Sequence, residues 1–149
     1  MGKAEEAKAL FLQGYNCAQS VFGAFAPELG LEPETAFRLV SGFGGGMGRM
    51  RNVCGAVSGM FLAAGLARGY SEPGTHEKKT ETYAMIQQLA AEFEARNGSI
   101  VCKTLLGLER PEGTPQAEAR TAEYYRKRPC AELVAQAAEI LEAYLAENP

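Results

Sequence analysis

The sequence predicts an all-α protein, a compact helical bundle of about six or seven helices with one glycine-rich loop, folded as a single domain over residues 1–149. Three observations support this. Segments rich in Ala, Leu, Glu and Lys, which are strong helix formers, recur along the chain. Apolar residues in the longer segments repeat at steps of three and four, and no segment shows a sustained two-residue alternation. With 46% hydrophobic residues, a chain of this length can bury one core.

The first three helices are predicted from composition and from their end signals. The segment KAEEAKALFLQ, 3–13, forms the first helix. Asn16 can cap a second helix, CAQSVFGAFAPEL, 17–29, which stalls near Pro27. The third helix, PETAFRLVS, 33–41, begins with proline at a position where a helix tolerates it.

A fourth helix is expected to be capped by Asn52 and to run to about Gly69. On one side it carries three small residues four apart, namely Gly55, Gly59 and Ala63. Glycine inside a helix costs about 1 kcal/mol, so this arrangement needs a compensating contact. A second helix packed closely would supply that contact, and a cofactor beside the helix is compatible with it.

The last two long helices are predicted from an apolar face. One begins at Gly74 or Thr75 and ends at the typical stop Asn97-Gly98. Its face consists of Tyr83, Ile86, Leu89, Ala90 and Phe93. The final helix opens at Cys130, and its face consists of Leu133, Val134, Ala137, Ile140, Leu141, Tyr144 and Leu145.

Charge and hydropathy exclude several classes of function. A net charge of -3 and a pI near 5.3 favour neither nucleic acid nor an anionic membrane as partner. The N-terminus shows no secretory pattern, and the longest apolar run, 53–67, is shorter than the roughly 20 residues that a membrane span needs. We therefore expect a cytoplasmic protein without membrane insertion. In that compartment four cysteines indicate packing, metal binding or redox chemistry rather than a disulfide framework.

All four cysteines are predicted to lie at or within the first turn of a helix. Cys17 follows Asn16, Cys54 comes shortly after the fourth cap, Cys102 precedes an apolar pair, and Cys130 opens the last helix. Free N–H groups and the helix dipole stabilise a thiolate there, and a thiolate is both a nucleophile and a metal ligand. Nearby cations would add to this effect: Arg49, Arg51, Lys103, Arg126, Lys127 and Arg128.

The glycine-rich segment GFGGGMG, 42–48, is predicted to be a tight backbone passage over the cysteines. It lacks the GK[ST] ending of a phosphate loop and follows a helix, which disfavours nucleotide binding. Consecutive amides in this loop could hydrogen-bond sulfur atoms. The predicted cofactor-binding glycines are Gly45 and Gly46 in this loop and Gly55 and Gly59 in the following helix.

Four blocks of the sequence carry a resemblance to a known family. They are GYNCAQSVF, 14–22; GFGGGMGRMRNVCGAVSG, 42–59; GSIVCKTLLG, 98–107; and RPCAELV, 128–134. In this order they resemble the redox-active proteins named for a cysteine, a CGAxxG motif and two further cysteines. The resemblance spans nearly the whole chain and implies redox activity, with a metal or iron–sulfur role for the four cysteines.

The function predicted first is a shared site of Cys17, Cys54, Cys102 and Cys130 that binds an iron–sulfur cluster or zinc, for electron transfer or redox sensing with an unidentified redox partner. Two alternatives stay open. The cysteines could form a thiol–disulfide redox centre without metal, or they could merely pack in a non-catalytic interaction protein. The helix with small residues also allows a homo-oligomer. No enzyme with a defined substrate is predicted.

Overall fold

The computed structural model describes residues 2–107 and 114–149. Within these ranges the chain forms eight α-helices and no β-strand, which confirms the all-α prediction. The helices are α1 (Lys3–Leu12), α2 (Cys17–Phe25), α3 (Pro33–Leu39), α4 (Gly55–Arg68), α5 (His76–Asn97), α6 (Cys102–Leu105), α7 (Ala122–Lys127) and α8 (Cys130–Glu147). Short 3-10 turns follow α2 at Ala26–Leu29 and α3 at Ser41–Phe43. None of the described helices combines the length and apolar character needed to cross a bilayer.

Most helix ends lie where their capping residues predict them. Asn16 caps α2 in a capping box, in which its side chain accepts from the Gln19 amide and the Gln19 side chain accepts from the Asn16 amide. Helix α5 starts after Thr75 and ends at Gly98, whose φ of 84° is the left-handed value that glycine adopts without strain. The cap at Asn16, the start after Thr75 and the stop at Gly98 depend on neighbouring residues alone, so they can be recognised in the sequence.

The predicted cap at Asn52 is wrong: α4 begins at Gly55, and Cys54 occupies the N-cap position. Asn52 is held in extended backbone instead, because its carbonyl accepts from the Cys102 amide at 2.6 Å. On the other side the Cys54 amide donates to the Ile100 carbonyl at 2.8 Å, around an antiparallel bridge between Val53 and Val101. Because the Asn52 carbonyl is already bonded to the Cys102 amide, Asn52 cannot supply the first acceptor of α4.

Helices α2 and α8 organise the core. Helix α2 packs against α1, α3, α4 and α8, while α8 also contacts α1, α4 and α5. The predicted face of α8 is confirmed, with Leu133, Val134 and Leu141 among its buried residues. The predicted face of α5 is partly wrong, because Tyr83 is 59% exposed and Met85 is buried in its place. Helix α5 lies at the edge and buries only a narrow stripe.

Helices α2 and α4 approach each other closely through the small residues of α4. A Cβ on Gly55 would stand 3.0 Å from Cys17 Cβ, and one on Gly59 would stand 2.7 Å from the Ala18 carbonyl oxygen. Gly55 and Gly59 thus meet successive residues of α2 in the same order, so the two helices run in parallel and begin at the same end of the bundle. Close helix contact explains these glycines.

We expect Gly59→Ala to lower the free energy of unfolding by about 1–3 kcal/mol, because its methyl group would overpack against Ala18. Gly65→Ala is the matched control on the same helix, where a Cβ would meet nothing within 4 Å. There the better helix propensity of alanine should raise stability by about 0.5–1 kcal/mol. Urea unfolding at constant m measures both changes. Equal changes in the two variants would contradict the close contact.

Candidate functional site

The four cysteines gather at one end of the bundle because three mutually packed helices begin there. Cys17 is the first residue of α2, Cys54 the N-cap of α4 and Cys130 the first residue of α8. The fourth cysteine, Cys102, is the first residue of α6. The Val53–Val101 bridge holds the start of α6 against the extended residues just before α4 and so brings Cys102 to the same end. Tertiary packing therefore collects helix starts that are far apart in the sequence.

All four cysteines line one cavity of about 60 Å³. None of them is in a disulfide; Cys54 and Cys102 are buried, whereas Cys17 and Cys130 are partly exposed. The wall is completed by further residues: Asn16, Gly45, Gly46, Arg51, Gly55, Leu105, Leu106, Arg120, Tyr124 and Leu133. The structure thus places all four cysteines of the predicted shared site around one cavity.

The glycine-rich loop passes directly over this cavity. Its backbone is left-handed from Gly45 to Arg49, with φ between 59° and 74°. A Cβ on Gly46 would lie 2.6 Å from Cys102 Cβ, so only glycine allows the loop to come this close. Gly45, Gly46 and Gly55 line the cysteine cavity, whereas Gly59 is not part of its wall and packs against α2.

Cys17 and Cys130 both line this cavity, and each affects the pKa of the other. The Cys17 thiol lowers the pKa of Cys130 to about 7 against the opposing effect of burial, and the charges of Arg128, Arg51 and Arg120 lower it further. The Cys130 thiol, together with burial, raises the pKa of Cys17 well above its ordinary value. Cys130 is therefore the more acidic thiol of the two.

The other two cysteines have a different environment. Burial raises the pKa of Cys54 to about 12, and the nearby amides of Val57 and Ala56 at the start of α4 only partly oppose the shift. Burial also raises the pKa of Cys102, opposed by Arg51, whose Nη1 lies 3.7 Å from the Cys102 Sγ. The expectation that every helix start favours a thiolate is wrong for these two, because desolvation outweighs the helix terminus, and it is also wrong for Cys17, whose pKa the Cys130 thiol and burial raise.

Two residues that sequence reasoning missed complete the site. Arg120 lies in a segment without regular structure, and its guanidinium donates to the Phe11 and Tyr15 carbonyls at 3.0 and 2.9 Å. Tyr124, on the short helix α7, lines the cavity, and burial raises the pKa of its phenol. Neither position carries a periodicity or a motif, so nothing in the sequence indicates that it reaches the cysteines.

Only some of the basic residues expected to lie beside the cysteines do so, and one lies beside a different cysteine. Arg51 lies beside Cys102 rather than Cys54, and Arg128 acts on Cys130 as its position in the sequence suggests. Arg49 instead donates to the backbone carbonyls of Thr114 and Gln116. Lys127 forms an exposed ion pair with Glu123 and does not line the cavity.

Four thiolates are suitable ligands for zinc or a two-iron two-sulfur cluster. Their arrangement does not fit a closed metal centre as it stands. Across residues 2–107 and 114–149, no group of three or more His, Cys, Asp or Glu side chains is placed so that it could hold one metal ion. Among the four cysteines, Cys17 and Cys130 are the two for which the other thiol is the largest cause of the pKa shift.

The pKa of Cys130 should depend on the donor at position 17. In the wild type, alkylation of Cys130 by iodoacetamide should rise with pH through a midpoint near 7, since the thiolate is the nucleophile. In Cys17→Ala the midpoint should move upward toward the ordinary thiol value of 9.0. Cys17→Ser keeps a donor and should shift the midpoint less. Peptide mass spectrometry measures the alkylation, and an unchanged midpoint in Cys17→Ala would show that Cys17 does not lower the pKa of Cys130.

Comparison with known proteins places the chain in a family. A family model described as "Putative redox-active protein (C_GCAxxG_C_C)" matches residues 15–144, a range that contains all four cysteines. No curated protein and no solved structure gives a match. The resemblance seen in the four sequence blocks is thereby confirmed over most of the chain. The protein belongs to this family of redox-active proteins with four cysteines, which in this chain line a single cavity.

Proposed function

We propose that the protein is a thiol–disulfide redox protein in which Cys130 is the attacking thiolate and Cys17 the resolving thiol. The observation that carries this proposal is that Cys17 and Cys130 line one cavity, where the pKa of Cys130 is lowered to about 7 while that of Cys17 is raised. Opposite shifts within one pair divide the roles of nucleophile and proton donor between the two residues. Both residues are partly exposed and line the same cavity.

In the proposed thiol–disulfide exchange, a disulfide substrate is the oxidant that accepts two electrons from Cys17 and Cys130. The Cys130 thiolate attacks one sulfur of the substrate, forms a mixed disulfide and releases the first substrate thiolate. The Cys17 thiol then loses its proton to the second leaving thiolate as its sulfur attacks Cys130, and a Cys17–Cys130 disulfide forms. Two electrons pass from the pair to the substrate, which leaves as two thiols once the first thiolate takes a proton from water.

The lowered pKa predicts a moderate gain in rate. At pH 7 a thiol with a pKa near 7 is about half ionised, about 50-fold more than one at its ordinary value of 9.0. A less basic thiolate is also a weaker nucleophile, with a Brønsted coefficient of about 0.4–0.5, which removes about eightfold of this gain. Cys130 should therefore react about sixfold faster than an ordinary cysteine at pH 7.

The resolving role gives a direct test. After reaction with a small aromatic disulfide, the wild type should contain a Cys17–Cys130 disulfide, and Cys17→Ser should stop at a stable mixed disulfide on Cys130. Cys130→Ser should lose the fast reaction, while Cys102→Ser, the matched control in the same cavity, should still close the pair. Intact mass and peptide mapping distinguish these products. A wild-type protein that forms no disulfide under these conditions would refute the proposal.

A metal-binding role is the second candidate. It is supported by the convergence of all four cysteines on one cavity beneath the glycine-rich loop. Cys17, Cys54, Cys102 and Cys130 are the residues that would hold the metal, and an iron–sulfur cluster would carry single electrons whereas zinc would stabilise the fold. Because the side chains do not form such a centre as they stand, binding would require them to rearrange.

Metal analysis separates the two candidates. If the metal-binding role is correct, anaerobically purified protein should contain stoichiometric iron with a brown colour, or stoichiometric zinc without colour. Cys54→Ser should then lose that metal, whereas thiol exchange by Cys17 and Cys130 predicts that this variant keeps the disulfide. Protein purified in this way without stoichiometric metal would refute metal binding and leave thiol exchange unaffected.

A further inference from the structure

Tyr124 lies where three spaces of the molecule meet. Beside the cysteine cavity are a cleft of about 340 Å³ and a groove of about 620 Å³. Leu106 and Arg120 each border the cysteine cavity and one of these larger spaces, whereas Tyr124 is the one described residue that lines all three. A molecule that extends from the cysteine cavity into either larger space therefore passes Tyr124.

The small size of the cysteine cavity decides which part of a disulfide comes next to Tyr124. About 60 Å³ corresponds to about two water molecules, each of which occupies about 30 Å³ in the liquid, so only the attacked sulfur and its nearest atoms can enter. The leaving sulfur is bonded to the attacked sulfur at about 2 Å and lies on its far side from Cys130, because exchange is an in-line displacement. The leaving sulfur is therefore at the mouth of the cavity, beside Tyr124.

The side chain of Tyr124 is held in place by its neighbours. Thr121, the N-cap of α7, accepts a hydrogen bond from the Tyr124 amide at 3.1 Å. The Tyr124 ring packs edge-on against the Tyr125 ring, with centroids 5.5 Å apart, and the Arg120 Cζ lies 5.2 Å from the Tyr124 ring centroid. Of the described residues, none accepts a hydrogen bond from the Tyr124 hydroxyl, so this group is available to a bound substrate.

The phenol of Tyr124 keeps its proton near neutral pH. Burial raises its pKa above the ordinary value of 10.0, and negative charge on Cys130 and Cys17 raises it further, which places the hydroxyl within the electrostatic field of both thiols. Even the ordinary phenol pKa of about 10 lies above that of a thiol. Beside a thiolate such a hydroxyl donates a hydrogen bond and does not give up its proton.

We propose that Tyr124 is a catalytic residue of the thiol–disulfide exchange, whose hydroxyl donates a hydrogen bond to the leaving sulfur of the substrate as negative charge develops on it. This inference rests on the proposed exchange and adds a third residue to Cys130 and Cys17. As the Cys130 thiolate attacks, the new S–S bond forms, the S–S bond of the substrate breaks, and its electron pair goes to the leaving sulfur. The Tyr124 hydroxyl stabilises that thiolate, which then takes its proton from water. The bond is strongest in the transition state and in the products, where the charge is present, and it therefore raises the rate.

The test is how strongly the rate depends on the basicity of the leaving thiolate. A hydrogen bond stabilises a basic alkyl thiolate more than a delocalised aromatic one. Tyr124→Phe should therefore slow the attack on 2-hydroxyethyl disulfide about tenfold, the low end for a hydrogen bond to a charged group, and the attack on a dipyridyl disulfide about twofold or less. Both reagents are neutral, and intact mass of quenched samples gives both rates. An unchanged ratio of the two rates in Tyr124→Phe would overturn the inference.

Tyr125→Phe is the matched control, because Tyr125 is the next residue on α7 and is not part of the walls of the three spaces. The Tyr125 hydroxyl accepts a hydrogen bond from Arg120 at 3.3 Å, and in the variant Arg120 keeps its bonds to the Phe11 and Tyr15 carbonyls. A small change at Cys130 would affect both disulfides alike. The ratio of the two rates should therefore keep its wild-type value.

Alkylation by iodoacetamide distinguishes this role from one exerted through Cys130. Its leaving group is iodide, a very weak base that gains little from a hydrogen bond. In Tyr124→Phe the alkylation of Cys130 should therefore keep its midpoint near pH 7. A midpoint that moves upward while the ratio of the two disulfide rates stays the same would mean that the hydroxyl stabilises the Cys130 thiolate, and this result would refute the proposed contact with the leaving sulfur.

A series of neutral disulfides with the wild type needs no variant and decides the matter even if Tyr124→Phe does not fold. The logarithm of the rate should fall less steeply with the pKa of the leaving thiol than it does for a small free thiol such as N-acetylcysteine amide. Equal slopes, with the Cys17–Cys130 disulfide still formed, would refute the role of Tyr124 and leave the exchange standing. If no disulfide closes the pair, the proposed exchange fails and the role of Tyr124 fails with it.

Discussion

The close parallel contact between α2 and α4 is the constraint on which the site depends. Gly55 and Gly59 allow the two helices to approach until a Cβ would collide with Cys17 and Ala18. This contact places the starts of α2 and α4 side by side, and α8 packs against both. With a larger residue at either glycine the helices would separate, and the sulfur atoms of Cys17 and Cys54 would no longer share a cavity.

Four cysteines at the starts of their helices differ in chemistry because their surroundings differ. Cys130 is partly exposed, and the Cys17 thiol and three arginines lower its pKa, so its thiolate is stabilised. Cys54 is buried, and the nearby helix amides only partly offset its desolvation. All four thiols therefore share the effect of a helix start, and burial and neighbouring groups decide which of them ionises.

The glycine-rich loop and the segment around Arg120 border both the cysteine cavity and a larger cleft beside it. The left-handed backbone of the loop brings Gly46 against Cys102 and leaves room beside Gly45, while Arg120 links the segment before α7 to the junction of α1 and α2. Together they form the wall between the small cysteine cavity and a larger neighbouring cleft of about 340 Å³.

The sequence by itself determined most of the helices, most of their caps and the placement of each cysteine at a helix start, because propensity, capping and apolar spacing act over a few residues. It missed the short helix α7 and misplaced the start of α4, where the long-range pairing of Asn52 with Cys102 overrides the local capping signal. Only the tertiary structure decided that the four cysteines line one cavity, that the thiols of Cys17 and Cys130 affect each other, and that Arg120 joins them. These relations depend on contacts between residues remote along the chain, and desolvation and charge follow from three-dimensional packing.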